Sequence, residues 1–188
     1  MDTTAQKTIN YLNSQPPEIM EWSMGDLCYK RLVEFLRIAY PERAALKGLR
    51  ILEIGTCRGM SAAVLACFGR VMTLDIVQYP ETAGIMAGLD KEVRDNITFV
   101  VCPNPLYFIQ TLTNAVYDVV LIDAAHDYAS CQGDTAFAMS VSPVVIWHDF
   151  HAEKFPGVYR AVEEVVGEHK PDHFYHSPNC SLAMGIWQ

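Results

Sequence analysis

Apolar residues along the chain gather into short unbroken runs, and polar-rich stretches with helical spacing separate them. Ile51–Ile54, Phe99–Val101, Val119–Ile122 and Val144–Trp147 are continuous apolar runs, the pattern of parallel strands covered on both faces. The pattern predicts strand 50–56 before helix 60–68, strand 71–77 before a helical stretch near 81–93, and strand 97–102 before helix 105–114. Strand 118–123 then precedes helix 129–139, and strand 143–148 precedes helix 157–168. Regular alternation of this kind means a doubly wound α/β sheet. At the end the rhythm changes. His173–His176 and Ser181–Trp187 read as strands joined only by Ser177-Pro178-Asn179-Cys180, and so short a link forces antiparallel pairing. The expected fold is a mostly parallel seven-stranded sheet closed by a C-terminal antiparallel hairpin, with residues 1–188 forming one domain.

Before the first strand lie two predicted helices. One runs from Thr4 to Asn13 as a polar helix and is broken by Pro16-Pro17; the other runs from about Asp26 to Ile38 and stops at Pro41. Residues 1–45 thus read as a helical cap or lid on the domain. Residues 1–24 read equally as a lid, a dimer arm or a frayed end, which makes a second copy of the chain a candidate partner.

Composition narrows the classes. With 51% hydrophobic and 19% charged residues over 188 positions, the chain can bury a full core. A net charge of −8 and the lack of a basic run argue against nucleic-acid binding. An anionic substrate would need a local basic spot, and Arg58 is the candidate nearest the glycine turn described next. The six cysteines, at 28, 57, 67, 102, 131 and 180, form no C-x-x-C pair. Neither an apolar signal region nor a stretch of membrane-spanning length is expected. The sequence predicts a soluble cytoplasmic protein with free thiols.

The densest chemistry begins at Ile51-Leu52-Glu53-Ile54-Gly55-Thr56-Cys57-Arg58-Gly59. A buried strand here runs into a glycine turn and then a helix, whose start presents unpaired N–H groups. Glycine lets such a turn adopt positive φ and lets a ligand approach the backbone. Asp75 ends the second strand, twenty residues after Gly55, where nucleotide-binding α/β units place the carboxylate that holds ribose hydroxyls. Cys57 and Met60 stand where G-x-G-x-x-G needs glycines, and no Gly-Lys-Ser/Thr follows Gly59. A pyrophosphate cradle is therefore absent, and the reading at this point is an adenosine-containing cofactor of a kind left open.

Ligands of open α/β sheets bind at the carboxyl ends of the strands. The fourth predicted strand ends Ile122-Asp123-Ala124-Ala125-His126-Asp127-Tyr128, and the fifth ends Trp147-His148-Asp149-Phe150-His151. Acids and imidazoles should therefore share the rim with Gly55 and Asp75.

Glu53-x-Gly55-x-x-x-Gly59 resembles the E/D-x-G-x-x-x-G motif of class I S-adenosylmethionine (SAM) methyltransferases. Its continuation through Asp123-Ala124-Ala125-His126-Asp127-Tyr128, Asp134, Trp147-His148-Asp149-Phe150 and Pro156-Gly157-Val158 is similar to the small-molecule methyltransferases of the family 24 type. It is similar also to metal-dependent sugar O-methyltransferases that modify natural products. The likeness covers roughly residues 48–168. It implies a Rossmann-like methyltransferase fold, SAM as cofactor, and O-methylation of a small molecule with a divalent ion assisting. By position, Glu53, Gly55, Thr56, Gly59, Ser61, Asp75, Asn104 and Asp123 would bind the cofactor. His126 would be the base, with Asp123 and Asp149 completing the catalytic group. Asp123, His148 and Asp149 would be ligands for Mg²⁺ or Mn²⁺. The chain departs from the metal-binding relatives at His148, where an acid is usual, and an imidazole suits Mn²⁺, Fe²⁺ or Zn²⁺ better than Mg²⁺.

Other readings stand beside this one. The fold could serve a non-catalytic SAM- or nucleoside-binding module with a regulatory or assembly role. Asp123 could be a helix N-cap and His148 a hydrogen-bonded pocket wall. Trp22, Tyr128, Trp147, Phe150 and Phe155 could stack on a flat substrate or simply pack, and His151 could line the mouth. Asn104-Pro105-Leu106-Tyr107 resembles the N-P-P-Y motif of amine methyltransferases but follows the third strand rather than the fourth.

Overall fold

The computed structural model describes residues 3–42, 47–103, 115–177 and 179–187. The helix expected at 105–114 lies outside them. Strand β1 (Leu49–Ile54) is followed by α4 (Met60–Leu65), β2 (Gly69–Asp75), α5 (Glu81–Ala87), α6 (Lys91–Asp95) and β3 (Ile97–Val101). Then come β4 (Val119–Ile122), α7 (Tyr128–Val141), β5 (Val144–Trp147), α8 (Pro156–His169), β6 (His173–His176) and β7 (Ala183–Ile186). Helices α1 (Thr3–Asn13), α2 (Pro17–Met20) and α3 (Gly25–Ala39) precede them.

Among the described residues the strands form a seven-stranded sheet in the order β3-β2-β1-β4-β5-β7-β6. β1 through β5 are parallel, and β7 is antiparallel to both β5 and β6. The expected topology and closing hairpin are therefore present. The sheet order reverses beside β1, so the tips of β1 and β4 flank the crevice where such sheets take ligands.

Side chains alternate between two apolar layers. Leu52, Ile54, Val120, Ile122, Val145 and Trp147 pack with residues of α7 and α8. Ile51, Val71, Val119, Leu121, Val144 and Ile146 pack with residues of α1, α3 and α4. Carried two residues onward, that second set places Glu53, Thr73, Asp75, Asp123 and His148 on the face covered by the N-terminal helices. The parallel register sets Glu53 opposite Thr73 and Leu121, and Leu121 opposite Ile146.

Two local expectations change. The first helix is amphipathic rather than polar, since Ala5, Thr8, Ile9 and Leu12 are buried in the same layer as α3 and α4. The stretch near 81–93 is two helices, parted where Gly88 meets the Tyr11 hydroxyl; a Cβ at 88 would lie 2.1 Å from that oxygen. Trp147 is wholly buried and donates its indole N–H to the Thr135 hydroxyl at 2.9 Å, and Phe150 is also buried. Neither is placed to stack on a substrate.

Candidate active site

The glycine turn after β1 is built by close approach. Gly55 has φ +100°, and a Cβ there would lie 1.9 Å from the Asp123 carbonyl oxygen. Gly59 opens α4 with φ +79° and its N–H donates to the Thr56 carbonyl at 2.7 Å. Between them, Cys57 is held at φ +46°. The turn's donors are satisfied internally: Thr56 N–H and Cys57 N–H donate to Asp75 Oδ2 at 3.0 and 2.7 Å, and Ile76 N–H donates to Asp75 Oδ1 at 2.7 Å. Asp75 thus ties the tips of β1 and β2 together. Thr56, Cys57, Asp75, Val77, Gln78, Thr82, Phe99 and Val101 line a cleft beside it. Ile76, Val77 and Val101 are large apolar side chains left exposed.

Beneath the turn, the Thr56 hydroxyl contacts Thr73 Oγ1 at 2.5 Å, and the Thr73 hydroxyl donates to Glu53 Oε2 at 2.5 Å. Glu53 is fully buried. Burial pushes its carboxyl up to about 8, against the lowering effect of Ser61 and Thr73, while Asp123 and Asp75 add to the rise. Glu53 is therefore protonated at neutral pH, whereas an unfolded chain ionises it near 4.5. Its contribution to stability is complete below the lower value and is lost as pH rises toward about 8, at about 1.4 kcal/mol per pH unit. Glu53→Gln keeps the acceptor for Thr73 and removes the titration. Urea midpoints measured between pH 5 and 8 should fall more steeply with pH in the parent than in Glu53→Gln, which keeps the fall that the raised His148 contributes above about 6.5 in both proteins.

At the tips of β4 and β5 four side chains meet. His148 Nδ1 is 3.0 Å from Asp123 Oδ1 and 3.3 Å from Asp149 Oδ2, and His126 Nε2 is 2.8 Å from the same Asp149 oxygen. A regular strand would send His148 and Asp149 to opposite faces. Asp149 instead adopts φ +58°, a conformation that aspartate tolerates better than most residues, and its carboxylate comes round to the His148 side. Burial alone would depress His148, but Asp123 and Asp149 overcome it and push the imidazole up to about 10. His126 is the accessible member, its side chain 46% exposed and its ring against Phe155 with centroids 4.5 Å apart.

No family model matches the chain, and no curated protein does. Solved structures do. TomG from Streptomyces achromogenes, an O-methyltransferase involved in Tomaymycin synthesis and solved in complex with SAM, is 20% identical with a TM-score of 0.64, covering 100% of this chain and 91% of its own. An O-methyltransferase from Bacillus cereus, in complex with SAH, is 19% identical with a TM-score of 0.60, covering 99% and 91%. Cofactor-bound Rv0187 from MTB is 21% identical with a TM-score of 0.64, covering 97% and 87%. The fold is that of the class I SAM methyltransferases.

The methyltransferase fold brings Glu53, Gly55, Thr56, Gly59, Asp75 and Asp123 to one rim, together with His126, His148 and Asp149. Ser61 is buried on α4 beside the Glu53 carboxyl, and Asn104 lies outside the described residues. Asp127, not Asp123, caps α7, accepting from Ser130 N–H at 3.0 Å. Arg58 is not an open anion site. It donates to the Ile19 carbonyl at 3.2 Å and lies 3.6 Å from Glu81. His151 Nδ1 accepts from the Glu153 and Lys154 N–H groups at 3.3 Å within its own exposed loop.

Two features of this methyltransferase fold escaped the sequence reading. Ile76 and Val77 follow the acid at a strand tip as an exposed apolar pair, a signal present in the sequence but unused. Tyr29 of α3 is fully buried, and among the described residues neither its hydroxyl nor Glu53 Oε1 has a partner at regular hydrogen-bond geometry, although Ser23 and Ser61 lie close to them; helical periodicity marks Tyr29 only as core. These buried polar atoms, the apolar cleft and Asp75 fit an adenosyl cofactor with an amino-acid end. Asp123, His148 and Asp149 place one ligand atom each within 4.8 Å of one another, a mixed oxygen and nitrogen set that suits a divalent transition ion once the proton these carboxylates hold on His148 is displaced.

Proposed function

We propose that this protein transfers the methyl group of SAM to a hydroxyl of a small molecule. The observation that carries the proposal is the pairing of His126 with Asp149, 2.8 Å apart, on the same rim as the glycine cradle. With Nε2–H donated to Asp149, the free lone pair of His126 is on Nδ1, and the partly exposed ring can take an acceptor proton there. Asp149 fixes the ring's orientation and stabilises the imidazolium as it forms. Phe155 holds the ring from one side. Ile76, Val77 and Val101 supply apolar surface for a flat base, and Asp75 supplies carboxylate oxygens to a ribose, sharing them with the turn. When bound, SAM supplies an electrophilic methyl group on its sulfonium. Asp123, His148 and Asp149 would hold a divalent ion, which would lower the pKa of an acceptor hydroxyl and fix its position.

The resemblance to O-methyltransferases supports this reading, and the acidic net charge of −8 supports a small-molecule acceptor over nucleic acid. Calorimetric titration of chelator-treated protein with S-adenosylhomocysteine, with and without Mg²⁺ or Mn²⁺, tests it. The expected result is micromolar cofactor binding, with Mn²⁺ bound more tightly than Mg²⁺ because of His148. No binding under any of these conditions would remove the methyltransferase reading. Cofactor binding without any metal binding would leave the His126–Asp149 pair as the whole catalytic apparatus.

A further inference from the structure

Three stretches of backbone converge beside the His126 ring. The first leaves β4 and reaches α7, where Asp127 is the N-cap. The second leaves β5 at Asp149 and folds back on itself: His151 N–H donates to the Asp149 carbonyl at 2.7 Å, and Phe155 N–H donates to the His151 carbonyl at 2.9 Å. The third is the start of α8, where Phe155 is the N-cap and Pro156 the first helical residue. Gly157 is the point at which α8 meets the first stretch. A Cβ there would lie 2.5 Å from the His126 carbonyl oxygen, 2.8 Å from Tyr128 N and 3.1 Å from the Asp127 carbonyl carbon. All three are backbone atoms, so no side-chain rotation would make room. Gly157 is already part of the helix, so the requirement is for space and close backbone approach. Gly167 of the same helix has nothing within 4 Å of its Cβ position.

We propose, building on the reading of His126 as the base for methyl transfer, that Gly157 is a positioning residue for that imidazole. The side chain it lacks lets the start of α8 stand directly on the backbone of residues 126–128, and this seat sets the ring between Phe155 and Asp149. Phe155 enters the helix just ahead of Gly157, so the depth at which α8 is seated decides how closely the two rings meet, 4.5 Å between centroids. The stretch that carries Phe155 begins at Asp149, whose Oδ2 lies 2.8 Å from His126 Nε2. Moving α8 away to admit a methyl group therefore disturbs the aromatic contact and the carboxylate contact together. A partly exposed imidazole has little else to hold its direction. Pro156 supports the seat, because its fixed φ suits the first helical turn and keeps the entry from unwinding. Tyr159 N–H closes that turn on the Phe155 carbonyl at 3.0 Å.

The test compares the full-length parent with Gly157→Ala and Gly167→Ala, and its first readout does not depend on methyl transfer. The proton NMR signal of the His126 ring, identified by its loss in His126→Ala, is displaced in the parent by the ring current of Phe155. Gly157→Ala should lose most of that displacement, and Gly167→Ala should keep it. On an acceptor found by S-adenosylhomocysteine release, Gly157→Ala should lower kcat about tenfold or more, since a misplacement of about 1 Å can cost roughly 10²-fold, while the dissociation constant for S-adenosylhomocysteine changes less than about threefold. A merely structural glycine would lower the urea midpoint and leave the His126 signal and kcat at parent values, and that result would overturn the proposal. Should Gly157→Ala not fold, Pro156→Ala loosens the same seat without adding an atom to the contact. A shifted His126 signal there supports the proposal, and an unchanged one overturns it. A shifted signal in Gly157→Ala, in a protein whose parent form methylates no acceptor, would keep Gly157 as the seat of His126 and remove the methyl-transfer reading.

Discussion

Gly55→Ala is expected to lower folding stability by about 3–5 kcal/mol, the sum of a left-handed backbone cost and overpacking. At φ +100° alanine is strained before any neighbour is considered. Its Cβ would then meet the Asp123 carbonyl oxygen at 1.9 Å, the carbonyl carbon at 2.4 Å and Ala124 N at 2.8 Å. All three are backbone atoms, so no side-chain rotation relieves the clash and the tip of β4 must move. Gly59→Ala is the internal control. There the new atom would meet the far ends of the Phe99 and Met86 side chains at 3.1 and 3.2 Å, which can shift, so the loss should be close to the left-handed cost alone. Urea denaturation of both variants checks the order. Equal losses would show that contact with Asp123 does not dominate at Gly55.

His126→Ala is expected to reduce methyl transfer by roughly 10²–10⁴, the usual contribution of a positioned general base, while leaving the dissociation constant for S-adenosylhomocysteine within about threefold. The side chain is partly exposed, and the contacts found for it are Asp149 and the Phe155 ring, so its loss should not disturb the glycine cradle. Asp149→Asn offers a graded comparison. An amide can hold the ring but cannot match a carboxylate in stabilising an imidazolium, so turnover should fall less than in His126→Ala and more than in Phe155→Leu. A screen of hydroxyl acceptors, read by S-adenosylhomocysteine release, supplies the substrate for these rates. Turnover by His126→Ala within about threefold of the parent would sink the base assignment.

The sheet was legible because buried parallel strands leave continuous apolar runs, and Val119–Ile122 and Val144–Trp147 coincide with β4 and β5. The rim was legible because period-two alternation on parallel strands carries Asp123 and His148 to the same face. Less visible were effects that depend on tertiary closure. Helix α5 ends at Gly88, where the Tyr11 hydroxyl occupies the space a side chain would need and donates to the Ile85 carbonyl, a contact between residues far apart in sequence. The buried face of α1 joins Ile9 and Leu12 to Ala5 and Thr8, and the last two carry little weight in a hydrophobic pattern. Arg58 looked free because Ile19 and Glu81 reach it only in the folded chain.

Position 149 is screened twice over. The left-handed backbone at φ +58° admits glycine, asparagine and aspartate readily and penalises β-branched residues. The two imidazoles that converge on Oδ2 accept only a side chain ending in oxygen at that reach. Glycine passes the first screen and fails the second, while glutamate offers the oxygen but sits poorly on the backbone. Aspartate and asparagine pass both, and aspartate alone brings the charge. Variation at this position should therefore be among the narrowest in the chain, for reasons that separate conformational and chemical selection at one residue.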